Sequence, residues 1–533
     1  MGRTRILALV VVLVGSNPSV PPSAPVWFGT GADRTSEVRV GEGRNATKVL
    51  LDWSRIEPRP QRFDWAEVDR IVRQAGAARL RVIGVLAYTP LWASVAEGED
   101  RKDPQIWRHQ PPREVGAWRR FVRQAVTRYR RRIGAWQIWT PLELRTFRGT
   151  AHDYAGLLTA ASEEIRRVDP AAPVVASAPV GVDLAFIRAL LRSHGHRIDG
   201  VNLAPLGLRP EQVMRAVGRL WADLMAPAGG RVFWWLEWTA APPDLVARMI
   251  AIALGCGARG VFTAPDADVA GAVRLLIGRI GDRRLVGFLD RGPEVTALVF
   301  EGGVGVWWGS GVVDVPFTQG WDASGRPLAP GPVRLDGRTV MLAGLPSDLV
   351  EEARRTLERA GALEPPVPPD RDFRNASSVS ARLGARNEEQ GLYNMPYRSR
   401  PNGAVSVVRV GDEEAVQLRA AREIVYVYFD VDDTFLFFNN GRYDVEVSVE
   451  VRGASVPGQL GFNLFYDSDI GYRFTPWQVV DARPEWITYT FRLPDANFAN
   501  TWGWDFAVNG AGNRHEDLVV RRVTVRRIPR AIR

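Results

Sequence analysis

Ile133-Gly134-Ala135-Trp136-Gln137-Ile138-Trp139-Thr140-Pro141-Leu142-Glu143-Leu144 is a short apolar run that closes on a proline turn. It follows a basic segment, VGAWRRFVRQAVTRYRRR, in which Trp118, Phe121, Val122, Ala125, Val126 and Tyr129 recur at helical spacing. Arg119, Arg120, Arg123, Arg130 and Arg131 fall mostly between them, so the segment predicts a surface helix with one face on a core. The chain then passes Gly134 into a predicted strand, Ala135 to Trp139, that ends in a loop. In a barrel of alternating strands and helices, such a strand end faces the active site.

The same alternation extends in both directions. Val26 to Gly29 and Lys48 to Asp52 read as the first two strands, and RLRVIGVLAYTPLWA as the third. The third is continuous and β-branched, as a parallel strand buried on both faces requires. DPAAPVVASAP, Arg197 to Leu203, Arg231 to Leu236 and Gly260 to Thr263 supply the fifth to eighth. Helical patterns at Trp65 to Ala78, Asp153 to Val168, Val182 to His194 and Leu245 to Leu254 lie between strands, with Asp64 as the expected N-cap of the first. Eight such units in roughly 250 residues predict an α/β fold, a (β/α)8 TIM barrel over residues 25–282.

Several fixed spacings resemble a clan of retaining glycoside hydrolases with (β/α)8 barrels. Trp136, Ile138 and Trp139 match its fourth-strand motif W-x-I-W-N-E-P, but Thr140-Pro141-Leu142 stands where Asn-Glu-Pro is usual. Trp53, Ile56, Glu57, Pro58, Phe63, Asp64 and Trp65 match its W-s-x-I-E-P-x-x-G-x-F-D-W pattern, with Lys48 near the place of an arginine. Tyr88-Thr89-Pro90-Leu91-Trp92-Ala93 is similar to Y-T-P-x-W-A, and Trp234 to Trp238 resembles the W-x-T-E part of the nucleophile motif. The sixth strand ends in Ala204-Pro205-Leu206, not His-Pro-Tyr. The resemblance is closest to family 39, the xylosidase/iduronidase type, and runs over about residues 26–350.

This resemblance implies Glu237 as the nucleophile. It places the acid/base at Pro141, which cannot transfer a proton, and leaves Glu143, two residues on, as the nearest candidate. A retaining mechanism needs two carboxyl groups about 5 Å apart, and an inverting one about 6.5–9.5 Å. At about 3.3 Å per residue, Glu143 lies roughly 7 Å further up an extended chain than Pro141. Trp53, Tyr88, Trp92, Trp139, Trp235 and Trp238 are the aromatic candidates for stacking on sugar rings, although a core role suits Trp92 equally. Glu57 reads as a brace for its loop or a cap for the next helix.

Composition fits an exported, multidomain protein. Hydrophobic residues make up 46% and charged ones 24% of 533 residues, enough for sizeable cores. The net charge of +9 comes almost entirely from arginine, Lys48 and Lys102 being the only lysines, and it is spread along the chain. No recognised nucleic-acid motif accompanies it, so it reads as a solvated surface and not a nucleic-acid site; the resemblance above implies a polysaccharide or oligosaccharide as the partner. Residues 1–24 resemble a signal peptide: Ile6 to Val14 is too short an apolar run to span a bilayer. A secreted, extracellular or periplasmic location follows, with an uncleaved anchor as the only membrane contact foreseen. Cys256, the single cysteine, lies in apolar ALGCGARGVF and reads as a buried thiol; no cofactor and no metal site is expected.

Beyond Leu285 the period becomes that of β-structure. Residues 283–362 predict a small β-sandwich, with a helix at Asp348 to Ala360, and 363–370 a proline-rich linker. Residues 371–533 predict a C-terminal, jelly-roll-like β-sandwich resembling carbohydrate-binding modules. Trp477, Trp486, Trp502, Trp504 and Tyr466 are its candidate sugar-stacking residues, with alternation placing about half in the core. Asp432, Asp433, Asp467 and Asp469 suit either acidic turns or a structural calcium. Three functions remain open: a polysaccharide glycosidase using Glu237 and Glu143, a degenerate polysaccharide-binding barrel serving exopolysaccharide assembly or export, and a structural extracellular protein.

Overall fold

The computed structural model describes residues 27–30, 45–142, 146–205, 208–227, 231–238, 242–263, 270–395, 406–419, 425–500 and 503–530. Eight parallel strands pair in chain order: β1 (Trp27–Thr30), β2 (Ala46–Asp52), β3 (Arg81–Ala87), β4 (Ala135–Ile138), β5 (Val174–Val180), β6 (Gly200–Ala204), β7 (Phe233–Trp238) and β8 (Gly260–Thr263). β1 pairs again with β8, so the ring closes. The sequence reading placed each strand within a few residues of these bounds.

Helices lie between the strands: α1 (Trp53–Ile56), α2 (Ala66–Ala77), α3 (Pro104–Trp107), α4 (Val115–Tyr129), α5 (Ala151–Val168), α6 (Leu184–His194), α7 (Pro210–Arg219), α8 (Pro243–Gly255) and α9 (Ala270–Ile280). α4 buries all six apolar residues of its predicted stripe. Its Trp118 Nε1 donates to the Leu157 carbonyl of α5 at 3.0 Å, while Arg119 and Arg123 pair with Glu163 and Glu164 at 2.6 and 2.8 Å. The half-exposed Arg119–Glu163 pair contributes about 0–1 kcal/mol. Glu164, by contrast, is buried and is balanced by Arg119, Arg123 and Arg167, so the apolar stripe and this buried carboxylate together hold the helix. α2 begins one residue later than expected: Trp65 occupies the cap position, and Asp64 Oδ1 accepts from Ala66 N at 3.0 Å. α7, which periodicity alone did not reveal, runs on into a π-helical turn over Leu220–Met225.

The expected small sandwich is instead one five-stranded antiparallel sheet with a two-stranded ribbon. The ribbon, through Val313 and Val333, shares a core with one face of that sheet, and the barrel covers the other. Along Val295–Phe300, Leu298 and Phe300 join the barrel's apolar cluster, while the alternate residues Val295, Ala297 and Val299 face a separate core that includes Ala353 of α10 (Ser347–Ala360). Both faces are therefore covered.

In the C-terminal part, a seven-stranded and a six-stranded antiparallel sheet enclose one core, with Val445, Val447, Val449 and Val525 from the first facing Phe429, Leu464 and Val508 from the second. This part is fixed to the barrel. Arg188 of α6 donates to Asn440 Oδ1 at 2.8 Å and to the Asp469 carbonyl at 3.2 Å, and Arg215 of α7 pairs with Asp433 at 3.2 Å. Phe437 and Phe438 complete the seam by joining the barrel's cluster. The proline-rich segment also lies against α7, where Glu364 pairs with Arg219 at 2.8 Å. Among the described residues no helix is long and apolar enough to cross a membrane; residues 1–26 lie outside them.

Candidate active site

The barrel interior is built in layers, because every second residue of a strand points inward. Ala46, Ile83, Ala135, Val175, Trp235 and Phe262 form an apolar layer. Trp235 fits there because β8 offers Gly260 beside it, where a Cβ would lie 2.4 Å from the indole. Two residues further along the same strands come Lys48, Gln137, Ser177 and Glu237, and Asn202 joins them from β6. A polar layer thus sits directly on the apolar one, toward the strand ends.

Within that layer Lys48, Asn202 and Glu237 form a closed triangle. Lys48 Nζ donates to Glu237 Oε2 at 2.6 Å and to Asn202 Oδ1 at 2.8 Å; Asn202 Nδ2 donates to the same Glu237 oxygen at 2.9 Å. The lysine side chain is wholly buried, and its ammonium lies 4.4 Å from the centre of the Phe262 ring. Burial pulls its pKa below the ordinary lysine value, and the Glu237 carboxylate partly opposes that pull. Glu237 keeps 15% of its side chain open. Among the described residues its hydrogen bonds all fall on Oε2, so they anchor one carboxylate oxygen and not the other.

β4 supplies a second polar set. Gln137 Nε2 donates to Ser177 Oγ and to the Trp139 carbonyl, both at 3.0 Å, while Gln137 Oε1 is buried without a donor among the described residues. Trp139 leaves the strand in a left-handed conformation, φ 66°, and the chain turns through Thr140 and Pro141. The Tyr88 and Thr140 hydroxyls meet at 3.3 Å on this rim, and the Pro141 carbonyl accepts from the Thr146 hydroxyl. Glu143 lies outside the described residues.

At the end of β2, Asp52 accepts from Ser54 N and Oγ at 3.1 and 2.6 Å and pairs with the Arg108 guanidinium. That guanidinium also covers the Tyr88 ring at 5.1 Å. Asp52 and Arg108 hold this corner of the rim together.

The aromatic candidates divide by burial. Trp53, Trp139 and Trp235 are almost wholly buried, which corrects their expected sugar-stacking role. Trp53 is stacked on Phe121, Trp139 is packed among Tyr88, Trp118 and Phe147, and Trp235 fills the apolar layer. Tyr88 is buried with its hydroxyl 3.3 Å from that of Thr140, and Trp92 is part-buried with Nε1 on the Glu57 carbonyl at 2.8 Å. The side chain of Trp238 lies outside the described residues. Glu57 is a brace: Oε2 accepts from Trp53 Nε1 at 2.6 Å and Oε1 from Gln61 N at 2.7 Å. Cys256 is buried, which pushes its thiol up to about 12.

In the C-terminal part, Trp504 and Tyr466 are buried, the latter donating to Asp495 at 2.7 Å, and Arg521 covers Trp486 at 4.5 Å. Trp477 is exposed, and Trp502 lies outside the described residues. Among the described residues no group of three or more His, Cys, Asp or Glu is gathered to hold a metal. Asp432 behaves as a turn residue, accepting from Thr434 N at 2.8 Å.

Sequence reasoning did not single out Asn202, Gln137 or Ser177. For Gln137 and Ser177 the signal was a polar residue two places beyond an inward apolar one, Ala135 and Val175; Asn202 follows Gly200 and carried no such mark.

No family model and no curated protein matches the chain. Solved structures similar to it include a glucosidase from Croceicoccus marinus, 11% identical with a TM-score of 0.38 over 95% of this chain and 96% of that one. The glycoside hydrolase family 30 subfamily 8 xylanase Xyn30A from Clostridium acetobutylicum is 13% identical with a TM-score of 0.42, over 60% and 97%. Endo-glycoceramidase II from Rhodococcus sp. is 15% identical with a TM-score of 0.34, over 60% and 97%. These neighbours are glycoside hydrolases. At such identities and scores they carry no argument, and the fold rests on the strand pairing above.

Proposed function

We propose that the chain acts on a polysaccharide as a retaining glycoside hydrolase, with Glu237 as nucleophile and Glu143 as acid/base. The observation that carries this reading is the anchored carboxylate at the end of β7. Lys48 neutralises it and, with Asn202, fixes Oε2, so Oε1 is the oxygen left to attack an anomeric carbon. Attack forms the glycosyl–Glu237 bond as the bond to the leaving oxygen breaks. Glu143 gives that oxygen its proton and then takes one from the incoming water. The N-terminal apolar run, Ile6 to Val14, supports an exported protein.

Pro141 favours a second reading. With no proton donor at the usual place and three of the expected stacking residues buried, the barrel would hold a polysaccharide without cutting it, as a protein of exopolysaccharide assembly or export. Reducing-end release from a panel of bacterial exopolysaccharides separates the two. Intact protein that releases ends, and loses this in both Glu237→Gln and Glu143→Gln, supports the hydrolase. Binding without release by the intact protein supports the second reading.

A further inference from the structure

The arginines behind the net charge of +9 are scattered in sequence, but the barrel gathers a set of them at one end. Its eight strands are parallel, so the connections leading into them share one face, opposite the strand ends that carry Glu237. Arg79 and Arg81 lead into β3, Arg130, Arg131 and Arg132 into β4, and Arg231 into β7, and all six are exposed. Between α2 and β8, the carboxylates in such connections among the described residues are Asp169, which is buried, and Asp199, which pairs with Arg166 at 3.1 Å.

Neither ion pairing nor helix ends account for these arginines. Among the described residues none of the six pairs with a carboxylate, whereas Arg119, Arg123 and Arg128 on the barrel's flank all do. A cation stabilises the last turn of a helix, but Arg79 and Arg81 lie past Ala77, where α2 ends, and Arg231 lies past Met225, where the π-helical turn ends. Aromatic rings hold guanidinium groups here instead. Arg81 lies 5.4 Å from the Trp27 ring, Arg132 lies 5.1 Å from Tyr129, and the half-buried Arg259 of the β8 connection lies 5.8 Å from Phe233. A ring carries no net charge, so the face keeps its full positive charge. At the opposite end charges alternate in sign: Glu99 pairs with Lys102 at 2.7 Å and Glu97 with Arg113 at 3.5 Å.

We propose that this arginine face docks the barrel on an anionic phospholipid surface, leaving the strand ends around Glu237 turned to solvent. Lipid phosphates suit a field of guanidinium groups, each of which can meet a phosphate through two N–H bonds. The chain itself favours a bilayer over a soluble acidic polymer. β1 begins at this same face, and the apolar run Ile6 to Val14, with Arg3 and Arg5 ahead of it, precedes Trp27 by twelve intervening residues. That length of chain spans at most roughly 45 Å. A bilayer takes both the charge and the apolar run, whereas a polymer takes the charge alone. The inference is independent of whether the barrel cuts a polysaccharide or only holds it.

Flotation of the full chain with vesicles of phosphatidylcholine, alone or mixed with phosphatidylglycerol, tests this. The intact protein should float with the anionic vesicles more strongly than with the neutral ones, and salt should weaken that difference. Arg79→Gln, Arg81→Gln, Arg130→Gln and Arg132→Gln together should weaken anionic binding at least 100-fold, because each arginine at such a surface contributes about fivefold. Lysine at the same four positions should retain most of the binding. Arg355→Gln, Arg409→Gln, Arg522→Gln and Arg526→Gln remove the same charge from exposed positions outside the barrel and should change binding about twofold at most.

Equal binding of the intact protein to neutral and anionic vesicles would overturn the proposal. So would equal binding by the barrel glutamine variant, an equal loss in the lysine variant, or an equal loss in the variant altered outside the barrel. Retardation of the intact protein in gels containing alginate, without flotation on either vesicle, would overturn it too, by assigning the face to an acidic polymer.

Discussion

Lys48 Nζ lies 2.6 Å from Glu237 Oε2, joining β2 to β7 inside the barrel across 189 residues of chain. Removing either partner leaves the other charge inside the barrel. Lys48→Met or Glu237→Gln should each cost about 3 kcal/mol, and the double variant should cost less than their sum. Urea unfolding of the four proteins measures the coupling, and strict additivity would show that the two charges do not sense each other.

The buried ammonium also sets a pH dependence. Its folded pKa lies below 10.5, burial being the larger cause and Glu237 the opposing one. Between that lowered value and 10.5 the unfolded chain binds more protons than the folded one, so this group's contribution to stability rises with pH. Below the window both states are protonated and its contribution is least favourable. Unfolding free energies of intact protein and Lys48→Met, compared across alkaline pH, should show this rise in the intact protein only.

Pro141 stands at the end of β4 with its carbonyl on the Thr146 hydroxyl. Pro141→Glu returns a carboxyl group to that strand end. If a missing proton donor limits hydrolysis, the variant should release reducing ends about 100-fold faster than the intact protein. An unchanged rate together with retained binding would place the limit elsewhere in the site.

Glu57 holds Trp53 Nε1 and Gln61 N at once and is 1% exposed. Glu57→Ala leaves two donors without an acceptor and should cost about 2–4 kcal/mol in denaturant unfolding. Its reading as a brace predicts that binding of polysaccharide by the folded variant is unaltered.

Arg188 and Arg215 fasten the C-terminal part to α6 and α7. Replacing both by alanine should loosen that seam and expose the proline-rich segment, residues 363–370. Limited proteolysis should then cut there faster than in the intact chain, while the two sheets, which have their own core, stay resistant.

Much of the fold was legible because its signals are local. The α4 stripe is a periodicity within fifteen residues, and β8 ends where the sequence reading put it. The small sandwich has a second sheet of two strands only: local alternation reports two covered faces without reporting what covers them. Here one cover is the barrel and the other is α10 together with the two-stranded ribbon, whose Val313 and Val333 lie in that core. The same limit applied to the tryptophans: Trp53, Trp139 and Trp235 carry motif spacings, yet a spacing does not state whether an indole points to solvent or into a core.

The sequence by itself determined the order of the eight strands, the proline at 141 and the place of Glu237 at the end of the seventh strand. Only the tertiary structure decided that Lys48, Asn202 and Glu237 meet. Parity in a strand fixes which face a side chain takes, but the height at which strands β2, β6 and β7 stand against one another is set by barrel closure. Closure is a property of all eight strands together, and it brings a lysine and a glutamate far apart in the chain to hydrogen-bonding distance.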